Sequence, residues 1–362
     1  MIQFQRIFDR YIGFILITIM VIFKPLKTLF KLKDNKRVAI IRIWTLGDTI
    51  TCLPMIKKLK EQGYKVDIYV SNRSKKVIEL SGLADKIINF FPAFIMKPFY
   101  YDYVIDTEPY LNFTSIISFY MSKKAIGYSN LYRKILYNYK IKWNSNYHVS
   151  YNFARLLEPV GIKFKPDKLL PLEYNKKEIN MVNKVITRYK KMKLIGMHLG
   201  MAETASHRMW KINNFKELIK KIHNNHKNVI IVLTGSKKEL KINKEIIKKL
   251  KINKIINLAG IPLGATAYLM TKLSLYISND TGPMHLSAAM KCKTIGLFGP
   301  NLPKRYGPLG KNNITIYKAN KMKCSPCIIP YEGKFKKCPY KGKCMDLITI
   351  NDVYKKVKEI LK

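Results

Sequence analysis

What most constrains the fold is an alternation that runs through the chain twice. Apolar runs of strand length at residues 38–43, 66–70, 87–91 and 103–106 are separated by segments with helical spacing. In residues 49–62, for example, Ile50, Leu53, Ile56 and Leu59 recur on one face and Gly63 follows. Apolar strands alternating with helices belong to a parallel sheet covered on both faces. The pattern restarts near Lys193, with runs at 194–198, 229–233, 255–258, 273–277 and 294–298 and helical spacing at 215–222 and from Glu239. Residues 147–160 read as a helix stopped by Gly161, and residues 166–171, with a proline at each end, as a linker. Val353, Val357 and Ile360 mark a closing amphipathic helix. A chain of 362 residues is long enough for two cores of this kind. The expectation is a bilobal α/β protein: an N-terminal extension over 1–36, lobes over 37–170 and 171–323, and a cysteine-rich tail with the last helix over 324–362.

Two strand ends carry the chemistry. Ser278-Asn279-Asp280-Thr281-Gly282-Pro283-Met284-His285 follows one apolar run and opens a helix, with Pro283 at a first helical position. That order aims backbone N–H groups at an anion. Gly299-Pro300 closes the next run, and neighbouring strand ends of this sort describe a ligand crevice at the carboxyl edge of a sheet. Asp-Thr-Gly is also ordinary turn chemistry, so a capped helix without a ligand fits the same residues. Asp48 stands where the first strand gives way to a helix. It reads as a first-turn carboxylate or as a general base.

Charge narrows the partners. There are 67 basic and 23 acidic residues, a net charge of +44, spread as lysine along the whole chain. No arginine-rich arm, RNP-like motif or zinc-finger spacing accompanies it, so no nucleic-acid partner is expected. Anionic membranes and anionic substrates are the partners such a surface attracts. Residues 11–23 form an unbroken apolar run with Arg6 and Arg10 before it and Lys24, Lys27, Lys31 and Lys33 after it. The run falls short of the roughly 20 residues a spanning helix needs, and no small-residue cleavage site follows it. An extra helix packed on the fold is the alternative account of the run, but the basic flanks favour monotopic attachment to the cytoplasmic leaflet of the inner membrane. The aromatic stretch 90–103 reads as a loop packed on the core. Cys52 and Cys292 are isolated, whereas Cys324-x2-Cys327-x10-Cys338-x5-Cys344 form a cluster. A structural zinc leads disulfides and free thiols as its explanation, and the overall usage suits a reducing compartment.

Four stretches, taken together, resemble the ADP-heptose:lipopolysaccharide heptosyltransferases, glycosyltransferase family 9. They are Ile41-Arg42 with Leu46-Gly47-Asp48 and Leu53-Pro54; Arg208-Met209-Trp210 with Phe215, Glu217 and Leu218; Asn257-Leu258-Ala259-Gly260; and Asn279 to Leu286 with Ala288-Ala289, on to Phe298-Gly299-Pro300. The resemblance covers most of residues 38–310 and leaves out the first 36. It implies a GT-B fold, two Rossmann-like lobes across a cleft, with the acceptor on the first lobe, the nucleotide sugar on the second, and the last helix crossing back to the first. It implies inverting transfer that requires no metal cofactor. By position, Asp48 matches the family's base and Asp280 the residue that contacts the donor sugar. Thr281, Gly282 and His285 match the diphosphate contacts. Arg208 stands where much of the family has a lysine, which changes the geometry of the cation but not its sign. Thr234, Gly235 and Glu239 are placed at the nucleotide, Glu239 at its ribose or as a solvated helix-start residue; His198 orders the Gly200 loop. Arg42, Arg73, Lys75 and Lys76 are natural contacts for an anionic lipid-linked acceptor, or a solvated basic face. The implied activity is transfer of a heptose from an ADP-sugar to a lipopolysaccharide-core-type acceptor. The competing readings are another nucleotide sugar or acceptor, as in capsule or O-chain assembly, and a catalytically silent basic membrane-binding protein.

Overall fold

The computed structural model describes residues 2–25, 36–91, 97–200, 207–329, 334–335 and 338–362. Lys27, Lys31 and Lys33, residues 92–96 of the aromatic stretch and residues 201–206 of the loop after Gly200 lie outside the described residues. The chain divides into two compact units, Met1–Pro166 with Ile329–Phe335, and Asp167–Ile328 with Lys336–Lys362.

In the first unit α1 (Ile2–Ile22) precedes β1 (Arg37–Arg42), α2 (Leu46–Glu61), β2 (Lys65–Val70), α3 (Lys75–Ser81), β3 (Lys86–Asn89) and β4 (Tyr101–Asp106). Then come α4 (Asn112–Met121), β5 (Ser122–Tyr128), β6 (Tyr139–Ile141) and α5 (Val149–Arg155). The six strands are parallel, in the order β3-β2-β1-β4-β5-β6. The helix expected over 147–160 is shorter, because Pro159 lies in a separate 3-10 turn, Glu158–Val160, that ends at left-handed Gly161. No described helix is long and apolar enough to cross a membrane.

The second unit runs α6 (Lys176–Ile186), β7 (Lys193–His198), α7 (Ile212–Asn225), β8 (Val229–Thr234), α8 (Lys237–Leu250), β9 (Ile255–Asn257), α9 (Leu263–Met270) and β10 (Leu275–Asn279). It continues with α10 (Gly282–Ala289), β11 (Thr294–Phe298), α11 (Pro303–Tyr306), β12 (Ile314–Tyr317), α12 (Lys343–Asp346) and α13 (Ile350–Leu361). Its sheet is also six-stranded and parallel, in the order β12-β11-β10-β7-β8-β9. Counted from the first strand of each unit, both sheets therefore have the order 3-2-1-4-5-6 of a Rossmann-type sheet. These are the two Rossmann-like lobes of the GT-B class. Val353, Val357 and Leu361 of α13 join Phe215, Ile219 and Ile222 in the second unit's core. The apolar stripe of the last helix is thus buried in the second lobe.

The common strand order fixes where a ligand belongs. Connections leave in opposite directions from β1 and β4, and from β7 and β10, opening a crevice at the carboxyl ends of each pair. Asp48 and Glu108 follow β1 and β4; His198 ends β7 and Asp280 follows β10.

Candidate functional site

In the first unit the loop after β1 is held from below. Arg42 and Glu108 are buried, at 1% and 0% exposure, with Arg42 Nη2 2.8 Å from Glu108 Oε1. The same oxygen accepts hydrogen bonds from the backbone N–H groups of Ile43 (2.8 Å) and Trp44 (3.2 Å). Glu108 Oε2 is buried and has no hydrogen-bond partner among the described residues. Burial pushes the Glu108 carboxyl up to about 7, against the pull of the Arg42 charge and the Ile43 amide. Above this base Thr45 adopts a φ of 28° and caps α2. Its hydroxyl donates to Asp48 Oδ2 at 2.6 Å and accepts from the Asp48 N–H at 3.4 Å. Asp48 is half-buried in the first helical turn, where the exposed amides favour a carboxylate.

The structure corrects one expectation here. Arg42 is no surface contact for an anion; it is a core residue whose guanidinium is turned to Glu108, Thr107 and the face of Phe153. Arg73 is exposed with its guanidinium 5.2 Å from the centre of the Trp44 ring, and Lys75 and Lys76 open α3 beside Glu79.

The second unit gathers its polar residues around β7 and β10. Asp280, 6% exposed, accepts a hydrogen bond from Asn301 Nδ2 at 2.9 Å, and Arg208 Nη1 lies 3.7 Å from the same carboxylate oxygen. Asn279 is fully buried; its Oδ1 accepts from the Trp210 N–H at 2.9 Å and so ties the segment carrying Arg208 to the end of β10. Thr281 caps α10, Gly282 and Pro283 open it, and His285 is buried in its first turns. His198 bridges Glu239 Oε1 through Nε2 at 3.0 Å and the Thr281 hydroxyl through Nδ1 at 3.4 Å. Glu239 Oε2 accepts from both the N–H and the hydroxyl of Ser236, at 2.6 and 2.7 Å. Burial alone raises the Glu239 carboxyl, but the bond and charge of His198 and the Ser236 amide outweigh it and hold the group at about 2. Gly235, with φ 153°, leaves room for that carboxylate: a Cβ there would meet its Oε2 at 3.0 Å.

Two further expectations change. The Thr234 hydroxyl is buried against Tyr276 (2.7 Å) and Met197 O (3.3 Å), so it belongs to the core and not to a nucleotide contact. Cys324, Cys327, Cys338 and Cys344 are free thiols, and no group of described residues is arranged to hold a metal ion. Burial, followed by the neighbouring sulfurs, pushes Cys344 up to about 11 and Cys327 upward. The structural zinc expected from the spacing is therefore set aside. Glu108, Asn279 and Asn301 were not among the expected site residues. Glu108 had one available signal, a carboxylate directly after a strand.

Residues 96–332 match the sequence family described as glycosyltransferase family 9 (heptosyltransferase). Lipooligosaccharide heptosyltransferase 2 of Campylobacter jejuni is 29% identical over 189 residues, which is 51% of this chain and 56% of that protein. The chain spans about half the length of the first curated relatives it matches. Among solved structures, a glycosyl transferase family 9 protein from Veillonella parvula superposes with a TM-score of 0.73 at 19% identity, covering 91% of this chain and 97% of that one. The E. coli ADP-heptose lps heptosyltransferase II gives a TM-score of 0.69 at 18% identity, covering 90% and 98%. These structural likenesses establish the fold. With the matched residues taking up well over half of its length, the chain belongs to glycosyltransferase family 9.

Proposed function

We propose that the protein is an inverting, metal-independent glycosyltransferase that moves a heptose from ADP-heptose to an anionic lipopolysaccharide-core-type acceptor at the cytoplasmic face of the inner membrane. The observation that carries this reading is the Asp280-Thr281-Gly282 turn at the switch point of the second sheet, with the Arg208 guanidinium against it. Amides at a helix start and a guanidinium together offset the charge of a departing diphosphate, the task a metal performs in other transferases. Thr281 and Gly282 give their N–H groups to the pyrophosphate, His285 adds a hydrogen bond, and Asp280 takes the sugar hydroxyls. Glu239 accepts from the ribose beside Gly235; its carboxylate has about one lone-pair site beyond those used by His198 and Ser236.

In the first unit Asp48 is the general base. Its carboxylate takes the proton of the acceptor hydroxyl as that oxygen bonds to the anomeric carbon. The bond from that carbon to the diphosphate oxygen breaks on the opposite face, which inverts the configuration, and ADP leaves with the electron pair. Thr45 fixes one carboxylate oxygen, and Glu108 fixes the loop that bears Thr45. Arg73, Lys75 and Lys76 supply the acceptor's phosphate contacts.

The test is Asp48→Ala, measured by ADP release and by calorimetric titration of ADP-heptose. The expected result is a fall in kcat of about 10²–10⁴ with donor affinity unchanged. Transfer at the wild-type rate removes Asp48 as the base. A thermal-shift comparison of ADP-heptose with UDP- and GDP-sugars checks the donor, and stabilisation by either of the latter in preference replaces the adenine nucleotide in this proposal.

A further inference from the structure

Helix α1 has two apolar sides, and only one of them is used by the fold. Asp9, Gly13, Leu16, Ile17 and Met20 recur at helical spacing along the inner side. The Asp9 carboxylate accepts hydrogen bonds from the N–H groups of Asn112 (3.0 Å) and Phe113 (2.8 Å), the first two residues of α4. Its backbone oxygen takes the Asn112 side-chain amide at 3.1 Å. An acid of α1 thus caps the start of α4. Gly13 is packed so tightly that a Cβ would fall 2.7 Å from that of Asn112. Ile17 is fully buried with Ile116, Phe119 and Leu136.

The outer side is different. Tyr11, Ile15, Ile19 and Ile22 follow one another at i, i+4, i+8 and i+11, and are exposed at 65%, 58%, 46% and 74%. Ile12 and Phe14 flank them, and Phe14 stacks on Tyr132 with ring centres 4.5 Å apart. A continuous apolar stripe on a helix clamped from behind is an interaction surface rather than a loose tether.

Charge selects the partner. α1, α4 and the Tyr132–Leu136 turn that carry this surface contain one carboxylate, Asp9, and it is turned inward. No acidic residue occurs anywhere between Glu108 and Glu158, while Lys134 is exposed in the turn beside Tyr132 and Lys24 follows the end of α1. An apolar stripe bordered by cations complements an anionic bilayer surface.

We infer that α1 is an in-plane docking helix for an anionic lipid leaflet, with Tyr11, Ile15, Ile19 and Ile22 in the headgroup–acyl boundary and the Asp9 clamp setting the tilt of the first lobe on the bilayer. The inference rests on the membrane-face reading above but not on the identity of the sugar. The test uses the full chain and flotation with vesicles of phosphatidylethanolamine and phosphatidylglycerol, beside vesicles of phosphatidylcholine alone. The wild type floats with the anionic vesicles, less so as salt rises. Ile15→Glu/Ile19→Glu, both at exposed positions, lowers that binding by at least about tenfold with its melting temperature kept. It transfers sugar to a soluble, lipid-free acceptor as the wild type does. A double variant that floats like the wild type, a wild type that does not float, or a wild-type dimer that the substitutions dissolve without any vesicle binding overturns the inference. Flotation as expected in a protein with no transfer activity leaves it standing and removes the transferase proposal instead.

Discussion

Replacing Glu108 by glutamine is expected to stabilise the first lobe at alkaline pH, although it removes one half of a buried ion pair. The carboxyl is raised from about 4.5 to about 7, because full burial outweighs the attraction of Arg42. A group whose folded value lies above its unfolded one binds its proton more tightly in the native state. Its contribution is therefore complete below pH 4.5 and is lost as the pH climbs through 7. Over that window the difference amounts to about 3 kcal/mol, a large share of a domain's usual margin. Glutamine mimics the neutral acid: its oxygen still accepts from the Ile43 and Trp44 amides, and it places no second charge in the core. Urea unfolding followed by the fluorescence of Trp44 and Trp143 at a series of pH values reads the outcome. The wild type should lose stability from pH 5 to pH 8, whereas Glu108→Gln should be nearly flat and the more stable of the two at pH 8. Arg42→Met, which removes the charge that holds Glu108 down, should move the wild-type slope to higher pH. A glutamine variant with the wild-type slope, or one that loses several kcal/mol at pH 8, would refute the reasoning and show that the ion pair itself holds the loop.

The second lobe has the opposite pH dependence. Glu239 is held at about 2, so its contribution is present above 4.5 and disappears as the pH falls toward 2. Glu239→Gln should flatten that acid limb in a near-ultraviolet circular dichroism titration, and an unchanged limb would discount the His198 and Ser236 contacts. Packing gives a paired test by thermal denaturation in the first lobe. A Cβ at Gly127 would lie 2.3 Å from the ring of Tyr137, itself locked by Arg133 and Asp106, so Gly127→Ala should cost about 3 kcal/mol. Gly161 has open space around it and a φ of 80°, so Gly161→Ala should cost only the roughly 1–2 kcal/mol of a left-handed backbone. Equal losses would mean that sterics at Tyr137 are relieved elsewhere.

How much of this was legible in the sequence depended on burial. β1, β2, β7, β8, β10 and β11 are buried on both faces and appeared as largely apolar runs, interrupted only at single positions such as Arg42, Asp67 and Ser274. β5 carries Lys123 and Lys124 in its first half, and β6 and β12 form sheet edges where one face meets water; none of these three gave such a run. The positions of Asp48 and Asp280 were legible because a strand end followed by a helix start is a local pattern. The zinc was expected because spacing says which cysteines are near in sequence, and it does not supply the arrangement of ligands that a metal site needs.

Arg42 was misplaced for a reason that the topology itself could have mended. A charge at the end of an apolar strand looks like an emerging surface, yet β1 is central, with β2 on one side and β4 on the other. Its last residue is therefore covered, and a covered guanidinium demands a carboxyl group within hydrogen-bonding reach. β2 ends in Val70-Ser71-Asn72-Arg73, which offers none, whereas β4 ends in Asp106-Thr107-Glu108. Asp106 is already engaged by Arg133 and Tyr137. Glu108 is what remains, so the partner of Arg42 follows from strand order and charge together, with the position of Glu108 directly after a strand as the one local signal.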